Sequence, residues 1–203
     1  MEFTLCYRGP LKAVTRKNTR IREKHKLRRI FHNQLKELWN QEPLRSHPEF
    51  LMPGKVTTTG SGMDEQGLYT ETDDITLLRE IKNFDFVPTI SADLEMVADL
   101  TITLLRPEPP GRIITQGGDI DNKLKTLFDA LKVPSADELP PKASPSEEES
   151  PFYCLVEDDN LIANLDINTD RLLDSVDDSS EVLLLIKVRT RVLKGTTANL
   201  GLI

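Results

Sequence analysis

From about Asn18 to Asn40 the chain carries its one long helical period. Leu27, Ile30, Phe31, Leu35 and Leu38 fall in a single stripe, while Arg22, Lys26, Arg29 and Lys36 lie roughly opposite. The spacing predicts a long helix with a basic outer face. A second, shorter period follows much later: Leu124, Leu127, Phe128 and Leu131 share one face of a helix that Pro134 must stop. The remaining apolar content comes in short segments that read as strands, so the chain is expected to be α+β, a single domain over 1–203. Its predicted form is one mixed sheet of about four to six strands with two main helices.

Phe3, Leu5 and Tyr7 alternate with Thr4 and Cys6, the period of a half-buried strand. Asn83 to Ile90 and Val97 to Leu105 read as two strands joined in a β-hairpin. Phe152 to Val156, Leu161 to Ile167 and Val182 to Leu193 complete the set. Two stretches do not read as core. Residues 43–80 mix Pro, Gly, Ser, Thr and acids and are expected to form a long loop insertion; the GSG inside it lacks the ending of a phosphate loop. Residues 134–151 are Pro, Ser and acid with no aromatic or β-branched residue after Val133, and are expected to be a disordered insertion.

The net charge of −7 hides a strong polarity along the chain. Residues 1–45 hold twelve Lys or Arg against four Glu, a segment charge of +8, which leaves the rest at −15. An anionic partner for the basic segment is a natural expectation. Two cysteines, Cys6 and Cys154, make no disulfide framework and no zinc spacing, and both are expected to be half-buried strand thiols. The longest apolar run, Val182 to Ile186, is far short of a membrane span, so a soluble cytoplasmic protein is expected.

Chemistry concentrates in GGDIDNKLKTLFDAL, residues 117–131. Asp119 and Asp121 are one residue apart, so in extended backbone both side chains point to the same side. Two carboxylates about 4 Å apart repel by roughly 4 kcal/mol at an effective dielectric of 20, and a divalent cation would offset that. Mg²⁺ takes one or two carboxylates and keeps waters and phosphate oxygens in its shell. The glycines permit close approach of a ligand. The plainer alternative makes Asp121 the cap of the following helix, with Lys125 its partner one turn on. A second acidic pair, Asp158 and Asp159, ends a strand and is expected to fall beside the first. Asp166, Asn168 and Asp170 imitate the start of a calcium loop, but Arg171 stands where that loop needs Gly.

Taken together, Asp119-Ile120-Asp121-Asn122, then Lys125, then Asp129-Ala130-Leu131, then Asp158-Asp159 resemble the RusA family of Holliday junction resolvases. The likeness spans about Ala98 to Asp166; the insertions at 43–80 and 134–151 depart from the family's shorter pattern. It implies a homodimeric endodeoxyribonuclease of DNA recombination and repair. Such an enzyme uses Mg²⁺, with Mn²⁺ as a substitute, to cut branched DNA by metal-assisted phosphodiester hydrolysis. Asp119, Asp121 and Asp159 would be catalytic metal ligands, with Asp158 a further carboxylate on the metal and Lys125 an essential basic residue. Arg16, Lys17, Arg20, Arg22, Lys26, Arg29, Lys36 and Lys123 are the expected DNA contacts. Two alternatives stand beside this one: a non-catalytic nucleic-acid-binding module that retains the fold, and a nucleotide-sugar transferase, for which the chain lacks a Rossmann-like series.

Overall fold

A computed structural model describes residues 1–12, 21–53, 56–64, 67–107, 120–175, 178 and 180–202, with only the backbone for 56–64 and 67–74. Four strands form the larger sheet: β1 (Glu2–Pro10), β6 (Met96–Arg106), β8 (Ile162–Arg171) and β9 (Glu181–Val192), in the order β1-β9-β6-β8. β9 runs antiparallel to both β1 and β6, and β8 runs parallel to β6. A parallel neighbour needs a crossover. Here the chain between β6 and β8 supplies it through helix α2 (Ile120–Leu131) and strand β7 (Phe152–Val156).

The expected single sheet is in fact two. β4 (Arg79–Ile81), β5 (Phe84–Ile90) and β7 form a second, three-stranded sheet, antiparallel between β4 and β5 and parallel between β5 and β7. β5 and β6 therefore make no hairpin. The chain turns at Ala92–Glu95, where the Glu95 N–H donates to the Ala92 carbonyl at 2.8 Å, and passes from one sheet to the other. Each strand's hydrogen-bonding edges are taken by other partners, so adjacency in sequence did not become pairing.

Helix α1 (Ile21–Trp39) buries Leu27, Phe31 and Leu35 in the same cluster as Leu5, Leu100, Ile102, Leu127, Leu131 and Ile186. Ile30, expected in that stripe, is exposed. The helix also buries a polar side. Lys24, His25, Arg28 and His32 face α2 and β7, and this wedged position is why α1 is not simply a helix with one wet face. Lys24 Nζ lies 2.6 Å from Asp129, and Arg28 donates to the Asp129 carbonyl at 2.6 Å. That carbonyl is one of the last four of α2, which have no partner within their own helix and favour a cation.

Both presumed insertions carry structure. Within 43–80, Leu44, Phe50, Ile75 and Leu77 are buried, the Leu77 N–H bonds the Phe50 carbonyl at 3.1 Å, and β2 (Val56–Asp64) pairs with β3 (Gly67–Ile75) as an antiparallel hairpin. Residues 134–151 are not disordered. Ser135 with Glu138, and Ser146 with Glu149, close reciprocal caps around short 3-10 turns. Glu149 pairs with Arg29 at 2.6 Å, the Glu148 carbonyl accepts from Lys36 at 3.0 Å and lies 3.2 Å from the His32 ring, and Leu139 is buried with Phe84, Phe86, Phe152 and Cys154. Composition predicted too little apolar area to order this segment; polar bonds to α1 supply the order instead.

Candidate metal and nucleic-acid site

α2 begins at Ile120, so Asp121 sits inside the first turn rather than at the cap, where a carboxylate is favoured by the helix dipole. Asp119 lies outside the described residues. Asp121 and Lys125 are both exposed, one helical turn apart, and neither side chain makes a hydrogen bond or ion pair among the described residues. Their neighbour Lys123, expected among the DNA contacts, is instead buried at 3% exposure.

The second pair divides its duties. Asp158 caps the 3-10 turn Asp159–Leu161, its carboxylate accepting from the Asn160 N–H at 3.0 Å. Asp159 is half-exposed, and its carboxylate lies 3.8 Å from Lys132 Nζ. Just ahead, Glu157 is held by Arg79 at 2.6 Å and by the Ser91 hydroxyl at 2.6 Å. Burial alone would raise the Glu157 carboxyl, but the hydrogen bonds from Arg79 and Ser91 outweigh it and hold it below the usual carboxylate range.

Asp121 and Asp159 do not meet within one copy of the chain. The Val133 N–H donates to the Val156 carbonyl at 3.0 Å and the Glu157 N–H to the Ile90 carbonyl at 2.9 Å, so Asp158 and Asp159 leave β7 beside the turn that begins β6. β8 then starts at Ile162 against Ala98. The middle of α2 is placed elsewhere: the Thr126 hydroxyl, bonded to the Asn122 carbonyl at 3.0 Å, lies 3.4 Å from the carbonyl of Lys12, just past the end of β1. That end of β1 faces the start of β9, whose Leu183 pairs with Leu105 at the far end of β6. Ala98 to Leu105 is about 23 Å of strand, and α2 itself is about 18 Å long. The two acidic positions thus mark opposite ends of the crossover, contrary to the expectation that they fall side by side. Among the described residues, no three His, Cys, Asp or Glu side chains form a metal-binding group. The donors themselves are hard carboxylate oxygens on exposed positions, the chemistry that suits Mg²⁺.

The basic face of α1 is also partly spent. Arg29 forms a two-bond pair with Glu149 and Lys36 donates to the Glu148 carbonyl, while Arg22 and Lys26 stay exposed. Arg16, Lys17 and Arg20 lie outside the described residues. Lys26 borders a cleft of about 300 Å³ with Tyr7, Lys12, Leu27, Ile30 and Thr126, between the end of β1 and the two helices.

Glu157, Arg79 and Lys132 were not anticipated as parts of the site. The acidic run Glu157-Asp158-Asp159 was visible, but which carboxylate bonds inward depends on β4 and the turn after β5, which lie far away in sequence. Asp166, Asn168 and Asp170 lie along β8, with Asn168 donating to Asp166 at 3.1 Å. Cys6 is exposed and Cys154 fully buried, its thiol pushed up to about 12 by burial. No helix among the described residues is long and apolar enough to cross a membrane. No protein-family model, curated protein or solved structure matches the chain.

Proposed function

We propose that the chain is a divalent-metal-dependent endonuclease of the RusA type, cutting branched DNA such as a four-way junction. The observation that carries the reading is the pair Asp121 and Lys125, exposed on one face at the start of α2, with neither engaged among the described residues. Exposed carboxylate and ammonium groups one turn apart, at the positive end of a helix, suit a cation and a phosphate held together. Asp119, Asp121 and Asp159 would hold the Mg²⁺, and Asp158 is left to its capping bond. The bound ion would polarise the phosphoryl oxygen and make hydroxide available near neutral pH. Lys125 supplies a point charge to a phosphate, and Arg22 and Lys26 extend the contact surface along α1.

Because Asp121 and Asp159 stand at opposite ends of α2, the reading requires a homodimer in which Asp159 of one copy completes the site begun by Asp121 of the other. A cut on each of two strands fits a two-fold dimer. The same separation favours the non-catalytic nucleic-acid-binding reading if the chain acts as a monomer. The test is cleavage of a labelled four-way junction, a flap and plain duplex, with Mg²⁺ or with EDTA. Wild type is expected to cut the branched substrates only with the metal, and Asp121→Asn to lower the rate at least a hundredfold. Failure to cut any branched substrate with any divalent metal would leave the binding-module reading.

A further inference from the structure

We propose that Glu157 is a positioning residue for Asp159, and that its clamp by Arg79, Ser91 and the Ala92 amide sets how well the Asp159 carboxylate takes a divalent cation. The inference rests on Asp159 being a metal ligand, as in the proposed function.

The geometry around this turn is lopsided. One oxygen of Glu157 accepts from Arg79 Nε at 2.6 Å; the other accepts from the Ser91 hydroxyl at 2.6 Å and the Ala92 N–H at 3.3 Å. Its own N–H donates to the Ile90 carbonyl at 2.9 Å. Arg79 is fixed in turn by Asp93 at 2.6 Å and by the Thr76 carbonyl at 2.7 Å, and Ser91 is wholly buried. On the other side, Asp158 caps Asn160, and the Leu161 N–H donates to the Asp158 carbonyl at 3.2 Å. Asp159 therefore sits between pinned residues, its own carbonyl accepting from the Ile162 N–H, while its carboxylate makes no hydrogen bond among the described residues and has only the ion pair with Lys132 at 3.8 Å. A fixed backbone under a carboxylate whose oxygens remain open is the arrangement by which outer-shell groups orient a ligand. Residue pairing between β5 and β7 ends at Ile90 and Val156, and beyond it the Glu157 N–H bond to Ile90 and the side-chain clamp together carry the strand geometry onward toward Asp159.

The experiment titrates Mn²⁺ against the full chain and follows the free ion by electron paramagnetic resonance, alongside junction cleavage and thermal melting. Glu157→Ala and Arg79→Ala are expected to weaken Mn²⁺ binding about tenfold, with KM for the junction unchanged and kcat restored at high metal. Glu157→Gln, which keeps one acceptor oxygen, should fall between them and wild type and serves if the alanine variants do not fold. Arg8→Ala, which removes an ion pair with Asp174 and Glu181 at the far end of the larger sheet, controls for general destabilisation and should bind Mn²⁺ as wild type does. Folded Glu157 variants with wild-type Mn²⁺ affinity would overturn the proposal, as would an equal loss in Arg8→Ala. Asp159→Asn separates the two layers: if it leaves Mn²⁺ binding untouched, the ligand assignment in the proposed function fails, and the inference fails with it.

Discussion

His32 shows how much one side chain inside α1 is asked to do. Its Nδ1 accepts from the Tyr153 N–H at 2.9 Å, which requires a neutral ring with the proton on Nε2, aimed at the Glu148 carbonyl at 3.2 Å. Burial lowers the His32 pKa despite the help of that carbonyl, and burial with the nearby Arg28 and Arg29 charges lowers His25 to about 4. A base held neutral in the fold binds its proton more readily when unfolded, so protons favour unfolding. Stability is expected to be full above about pH 6.5, the unperturbed His value, and to fall as the pH drops from there toward 4. Melting temperature across that range measures it, and His32→Ala should flatten the slope; a wild-type curve level from pH 7 to 4 would contradict the account. Asp129, part of the D-A-L run in the sequence, has a structural role of the same kind. Lys24 and Asp129 are both buried, so Asp129→Ala strands an ammonium and is expected to cost about 3 kcal/mol in a denaturant titration.

At the level of elements, what was legible in the sequence was local. β1, α2, β7 and β9 appear within a few residues of where periodicity puts them, because alternation and helical stripes depend on neighbours along the chain. The division of the strands into two sheets was not legible, since β5 pairs with β7 across more than sixty residues and no short-range signal marks that choice. Nor was the order in 134–151. Ser146 and Glu149 read as polar linker until Arg29 and Lys36 are seen across from them. Glu149→Ala breaks a cap and an ion pair together and is expected to lower stability by about 1 kcal/mol or more. It should also expose 134–151 to limited proteolysis. A change within about 0.5 kcal/mol would mark the segment as ordinary surface.

At the scale of the whole molecule, the crossover sets where the acidic residues lie. α2 joins the far end of β6 to the start of β8, and that path holds Asp121 and Asp159 apart in any single copy. The acidic residues and their order were readable from the sequence; their separation was not, because it follows from β6 and β8 lying parallel. The measurement that bears most directly on the proposed function is junction cleavage by mixed variants. Asp121→Asn and Asp159→Asn are each expected to be inactive alone with Mg²⁺. Mixed and allowed to exchange subunits, they should regain cutting, because one site in each mixed dimer then draws both carboxylates from unaltered positions. No recovery on mixing, with wild type active, would contradict a site shared between two copies, and an inactive wild type would contradict the nuclease itself.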